Sequence, residues 1–187
     1  MTRVGRSGKL LNLPTVLTIL RIVLVAPLMI LIFMDNLPTQ IASIIIFTVA
    51  SITDFLDGRL ARKNQQVTDL GAFLDPLADK MLINLTFLAL VAMGLMPLWM
   101  FSVILIRDFA VDGMRMMVAK DGTVVSASIF GKAKTMVQMI TVISILLNRI
   151  LSLEPLTIIN IILLYIVVFL TVLSGMLYLI KGSQKLK

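Results

Sequence analysis

The sequence predicts an all-α integral membrane protein with six transmembrane helices. Three observations carry that class. The 187-residue chain is 59% hydrophobic and only 14% charged, whereas a soluble domain carries ~25% charged residues. Its apolar residues fall into six runs long enough to cross a bilayer. Its basic residues gather in alternate connections between those runs, the orientation signal of a multi-span protein.

The first span is expected over 13–34. Asn12, Pro14 and Thr15 supply helix-starting chemistry at its head. A cleaved leader is the competing reading, but this run is too long, contains Arg21 and lacks an A-x-A site, so it is expected to be retained. The turn "MDNLPT" at 34–39 precedes a second span over 40–62, and a third is expected over 70–93. "GLMP" at 94–97 breaks the chain before a fourth span over 97–119, and "KDGTVVSAS" at 120–128 is a polar loop. The fifth span is expected over 132–152 and the sixth over 156–180, separated by "NRILSLEP", whose Pro155 starts a helix. Without repeats or low-complexity tracts, residues 1–187 read as one six-span membrane domain.

Arg3, Arg6 and Lys9 precede the first span; Arg62 and Lys63 lie in the second connection, Lys120 in the fourth, and Lys181, Lys185 and Lys187 at the end. The other connections hold only Arg149. Both termini are therefore expected in the cytoplasm. The net charge of +7 reads as orientation and anionic lipid or phosphate contact, with no nucleic-acid partner. Trp99 is expected as an interfacial anchor, and Asn148 and Asn160 as helix caps. The scattered Met and Phe fit ordinary lipid contact and gap-filling.

The chain has no Cys and no His, which excludes disulfides, thiolate sites, imidazole bases and His-ligated metals. Chemistry is left to carboxylates, Lys, Arg, hydroxyls and oxygen-bound metal. Against that background, five of the ten acidic residues (Asp54, Asp57, Asp69, Asp75 and Asp79) crowd into one short cytoplasmic stretch. Asp54 and Asp57 are spaced i,i+3 at the end of span two, and Asp75 and Asp79 are spaced i,i+4 at the start of span three, so each pair shares a helix face. Asp69 is as well read as a solvated loop carboxylate. Four converging carboxylates in a membrane protein would repel or take up protons unless cations met them. An all-oxygen set suits Mg²⁺, Mn²⁺ or Ca²⁺, and two divalent ions would balance four charges. Gly58, Gly71 and Ala61 keep the region small enough for a bulky ligand to approach the backbone.

The pattern D-x2-D-G-x2-A-R-x8-G-x3-D-x3-D, formed by Asp54, Asp57, Gly58, Ala61, Arg62, Gly71, Asp75 and Asp79, resembles the signature of the CDP-alcohol phosphotransferases at every fixed position. The six-span plan extends the likeness over nearly the whole chain. The resemblance implies the CDP-alcohol phosphotransferase fold, usually as a homodimer, and displacement of CMP from a CDP-linked donor by an alcohol. It also implies that Asp54, Asp57, Asp75 and Asp79 hold two divalent cations, Mg²⁺ or Mn²⁺. Asp79 would serve as general base, and Gly58, Ala61, Arg62, Thr68 and Gly71 would line the donor pocket.

Three further stretches are similar to the phosphatidylglycerophosphate-forming branch, whose acceptor is glycerol 3-phosphate. "NLPTVLTILR" at 12–21 resembles N-x-P-N-x-L-T-x-x-R, with Thr15 in place of Asn. "IRDFAVDGMR" at 106–115 resembles R-E-x4-G-x-R, with Asp108 in place of Glu, and "GKAKTMVQ" at 131–138 resembles G-K-x-K-T-x-x-Q. Arg107, Arg115, Lys132 and Lys134 are then the expected cradle for the acceptor phosphate. The plainer readings are that Arg107 pairs with Asp108 or Asp112, that Lys132 and Lys134 report orientation, and that Arg21 is an internal partner of an acid. A site at the cytoplasmic end of lipid-facing spans admits a diacylglycerol tail sideways, so CDP-diacylglycerol is the expected donor and the cell membrane the location. Serine, inositol phosphate or phosphatidylglycerol are the alternative acceptors. A divalent-cation carrier or a non-catalytic lipid-binding scaffold are the alternatives of another class.

Overall fold

A computed structural model describes the backbone of residues 13–63, 69–120 and 129–185, and the side chains of residues 15–53, 74, 76–118 and 131–180. The described residues form helices and their connecting turns, with no strand: α1 (Leu13–Phe33), α2 (Leu37–Lys63), α3 (Asp69–Ala92), α4 (Leu98–Lys120), α5 (Ile129–Leu151) and α6 (Glu154–Lys185). The six expected spans are thus six helices. α2 starts at Leu37 rather than residue 40, because Asn36 caps it: its Oδ1 accepts the Thr39 N–H at 3.0 Å. α6 runs to Lys185, beyond the expected residue 180, since nothing in "KGSQK" forces a helix to stop.

The helix ends follow local chemistry. After α3, Gly94 adopts φ +71°; its N–H bonds the Val91 carbonyl at 3.0 Å and the Leu95 N–H bonds the Leu90 carbonyl at 2.9 Å. This Schellman closure needs a left-handed residue, which glycine supplies without a Cβ clash. At the α5–α6 turn, Asn148 acts as expected: its Oδ1 accepts the Leu153 N–H at 3.0 Å and its Nδ2 donates to Thr157 Oγ1 at 2.8 Å. Asn160 does not cap. It lies within α6 and accepts a 2.6 Å bond from Ser144 Oγ on α5, a polar tie between helices.

The chain forms two compact units, Met1–Ala89 and Leu90–Lys187. In the first, α1 packs on α2. Thr15, Thr18, Arg21, Val25, Leu28 and Ile32 form the buried stripe of α1, while Val16, Ile19, Leu20, Val23 and Ile30 are exposed. In the second, α6 packs on both α4 and α5. Gln138, Thr141, Thr171 and Ser174 are buried there, while Ile106, Phe109, Met116, Ile158 and Phe169 are exposed. Large apolar side chains outside and hydroxyls inside is the polarity of a protein solvated by lipid. The buried hydroxyls follow the same rule, since Thr86 and Thr141 each donate to the carbonyl four residues back, at 2.7 Å.

Among the described residues, three helices are long and apolar enough to cross a bilayer: Thr15–Phe33, Gly131–Leu151 and Glu154–Ile180. α2 adds an apolar stretch over Leu37–Thr53. α4 has span length, but it carries Arg107, Asp108, Asp112 and Arg115. Helices of this length and apolarity make the chain a membrane protein. Trp99 is exposed, and its ring lies 6.3 Å from that of Tyr165.

Candidate active site

The first unit carries the acids. Asp54, Asp57, Gly58, Ala61 and Arg62 occupy the last turns of α2; Asp69, Gly71, Asp75 and Asp79 occupy the first turns of α3. Asp75 precedes Pro76, which has no N–H to offer the Ala72 carbonyl. Of the four proposed metal ligands only Asp79 has a described side chain, and it is half-buried. The side chains of Asp54, Asp57, Gly58, Ala61, Arg62, Asp69, Gly71 and Asp75, and the whole of Thr68, lie outside the described residues. Among the described residues no group of three or more acids could hold a metal.

The second unit carries the cations, and here the side chains are described. Asp108 on α4 is the hub. Its Oδ1 receives Arg107 Nη1 at 3.1 Å and Lys134 Nζ, from α5, at 2.5 Å. The Lys134 and Asp108 side chains are 7% and 10% exposed and that of Arg107 17%. One carboxylate thus meets two cations in a low-dielectric setting, where an isolated charge would be costly. The pairing of Arg107 with Asp108 is therefore real, and Lys134 shares the same acid.

α6 completes the arrangement. Arg107 Nη2 donates to Ser174 Oγ at 3.0 Å. Gly175 lies against the same side chain: a Cβ there would come within 2.8 Å of Arg107 Cγ and 3.4 Å of its Nε. The Nε–H is buried without a hydrogen-bond partner among the described residues. Arg115, two turns after Arg107, lies 5.7 Å from the centroid of the Tyr178 ring and donates its Nε–H to the Tyr178 hydroxyl at 3.5 Å. Tyr178 is buried, while Arg115 and Lys132 are exposed.

The structure thus brings Arg107 and Lys134 together through Asp108, and it holds Arg115 on α6. Lys132 sits one turn or less from Lys134 in the first turn of α5. Arg107, Asp108, Asp112 and Arg115 on α4 with Lys132 and Lys134 on α5 count four cations to two acids, an excess suited to an anion. Sequence reasoning missed Ser174, Gly175 and Tyr178. Their signal was faint: a Ser-Gly pair at i,i+4 and i,i+3 from a Tyr in an otherwise apolar helix, where small residues mark close helix contact.

A family model described as CDP-alcohol phosphatidyltransferase matches residues 11–173. A Bacillus subtilis (strain 168) protein named CDP-diacylglycerol–glycerol-3-phosphate 3-phosphatidyltransferase is 38% identical, over 94% of this chain and 97% of its own length. A Rickettsia bellii (strain RML369-C) protein of the same name is 37% identical, over 93% of this chain and 96% of its own. A Mycobacterium tuberculosis (strain ATCC 25618 / H37Rv) protein named probable phosphatidylglycerophosphate synthase is 34% identical, over 97% of this chain and 87% of its own.

Proposed function

The chain belongs to the CDP-alcohol phosphatidyltransferase family, and on that premise we propose that it transfers the phosphatidyl group of CDP-diacylglycerol to sn-glycerol 3-phosphate. The products are phosphatidylglycerophosphate and CMP. The observation that carries the reading is the identity of 34–38% to relatives bearing that activity in their names, over most of both chains. The cationic node of α4, α5 and α6 supports a phosphorylated acceptor over serine.

Asp54, Asp57, Asp75 and Asp79 would hold two divalent cations, Mg²⁺ or Mn²⁺. The donor set fits: every group is a carboxylate, and hard cations take oxygen ligands. When bound, such ions supply neutralisation of the diphosphate and Lewis-acid polarisation of the transferring phosphoryl group. Gly58, Ala61, Arg62, Thr68 and Gly71 form the donor pocket, with Arg62 pairing with the diphosphate. Asp79 takes the proton from the acceptor hydroxyl. The freed oxygen bonds to the phosphorus that carries diacylglycerol, and the bond from that phosphorus to the bridging oxygen breaks, so CMP leaves with the electron pair. Arg115 and Lys132 meet the acceptor phosphate from their exposed positions, together with Arg107 and Lys134. The enzyme works as a single six-span domain in the cell membrane, as a homodimer, with both termini and the active site facing the cytoplasm.

The test is CMP release by the purified chain in detergent with CDP-diacylglycerol and Mg²⁺. Glycerol 3-phosphate, serine, inositol phosphate and phosphatidylglycerol are supplied separately. Release with glycerol 3-phosphate that EDTA abolishes and added Mg²⁺ restores is the expected result. Release with another acceptor alone would keep the family and overturn the acceptor; release that survives EDTA would overturn the role of the four acids.

A further inference from the structure

We propose that one face of α6, formed by Ser174, Gly175 and Tyr178, is a positioning surface that sets the two α4 arginines and thereby the affinity for a phosphorylated acceptor. The inference rests on the acceptor pocket proposed above and adds residues that lie beyond the stretch matched by the family model, which ends at residue 173.

Ser174, Gly175 and Tyr178 recur at i, i+1 and i+4, and so lie along one side of a helix. Arg107, Val111 and Arg115 recur at i, i+4 and i+8 on α4, and the two helices pack together. The contacts are of three kinds. Ser174 Oγ accepts from Arg107 Nη2 at 3.0 Å and is fixed in turn, donating to the Thr171 carbonyl at 3.1 Å. Gly175 leaves a notch that the root of the Arg107 side chain fills, with Cγ 2.8 Å from where a Cβ would stand. The Tyr178 ring lies under the Arg115 guanidinium.

The notch is the decisive part. Cγ is the first atom beyond Cβ, so it cannot swing clear as the end of a long side chain can. An alanine at 175 would make Arg107 change its χ1 rotamer or push α4 from α6, and either would break the bond to Ser174. Arg107 also shares Asp108 with Lys134, so a displaced guanidinium would redistribute that carboxylate between its two cations. Gly175 therefore acts through Arg107 and touches no substrate.

The experiment uses the full chain in detergent, with CMP release followed at varied glycerol 3-phosphate and saturating CDP-diacylglycerol, and then the reverse. Gly175→Ala is expected to raise the glycerol 3-phosphate KM about tenfold, the scale of one charge-assisted hydrogen bond, with the CDP-diacylglycerol KM changed by less than about twofold. Ser174→Ala, which adds no volume, should raise the same KM alone. Tyr178→Leu should do so as well, and Tyr178→Phe should be nearly silent, since the 3.5 Å contact to the hydroxyl is weak and the ring remains. In the Arg107→Ala background no Cγ is left to clash, so adding Gly175→Ala should raise KM by less than about twofold more. Multiplying effects in the double variant would overturn the proposal, as would equal shifts in both KM values or a lowered unfolding temperature without a KM split. A wild-type chain that ignores glycerol 3-phosphate would overturn the proposed function and this inference with it; a wild type that uses it, with variants that show no split, would overturn the inference alone.

Discussion

Asp79→Asn is expected to lower kcat for CMP release by about 10²–10⁴-fold, the range that a positioned general base supplies. The amide matches the carboxylate in size but cannot take the acceptor proton, and it is a weaker ligand for a divalent cation. The half-buried position of Asp79 in the first turns of α3 gives the substitution little reason to unfold the chain. Two further readouts separate the roles. If Asp79 is chiefly the base, raising Mg²⁺ will not restore turnover; if it is chiefly a ligand, it will do so in part. Turnover within about tenfold of wild type at ordinary Mg²⁺ would remove Asp79 from the chemistry altogether.

The second large effect is on stability. Asp108→Ala removes a carboxylate that Arg107 Nη1 and Lys134 Nζ share and leaves both cations in a poorly hydrated interior without it. Breaking a buried pair in this way costs about 3–5 kcal/mol, because the remaining charge keeps its desolvation penalty and loses its partner. For a chain of this size the unfolding temperature in detergent should fall by on the order of 10 °C. Lys132→Ala, which removes an exposed cation, should move it by no more than about 1–2 °C. Equal, small shifts in both variants would mean that Asp108 is solvated and that the hub does not hold the three helices.

The fold was legible to within a few residues because lipid leaves the sequence few options: long apolar runs must be helices, and breaks such as "MDNLPT" and "GLMP" are conspicuous between them. The misplaced start of α2 came from reading Asn36 as part of a turn when its side chain caps the helix. The acids of α2 and α3 were equally plain, since carboxylates stand out in an oily chain. The cations of α4 and α5 were legible only as charges. Nothing in the spacing of Arg107 and Lys134 reveals that one carboxylate joins them, because the join depends on how α4 and α5 meet. Ser174 and Gly175 look like filler in an apolar helix until packing shows what they leave room for. Asn160 was misread for a related reason: its partner Ser144 lies sixteen residues away on another helix.

The contrast in exposure among the cations divides them by how they meet ionic strength. At physiological salt, charges in contact with solvent are screened over about 8 Å, whereas buried pairs are barely screened. Arg115 and Lys132 are exposed, whereas Lys134 and Asp108 are buried. Moving from about 0.05 to 0.5 M NaCl should therefore raise the glycerol 3-phosphate KM severalfold while the unfolding temperature stays nearly level. A KM that ignores salt would place the acceptor phosphate wholly among the buried cations. On the expected result, the ionic strength around the enzyme tunes how readily it takes its acceptor and leaves the frame of α4, α5 and α6 untouched.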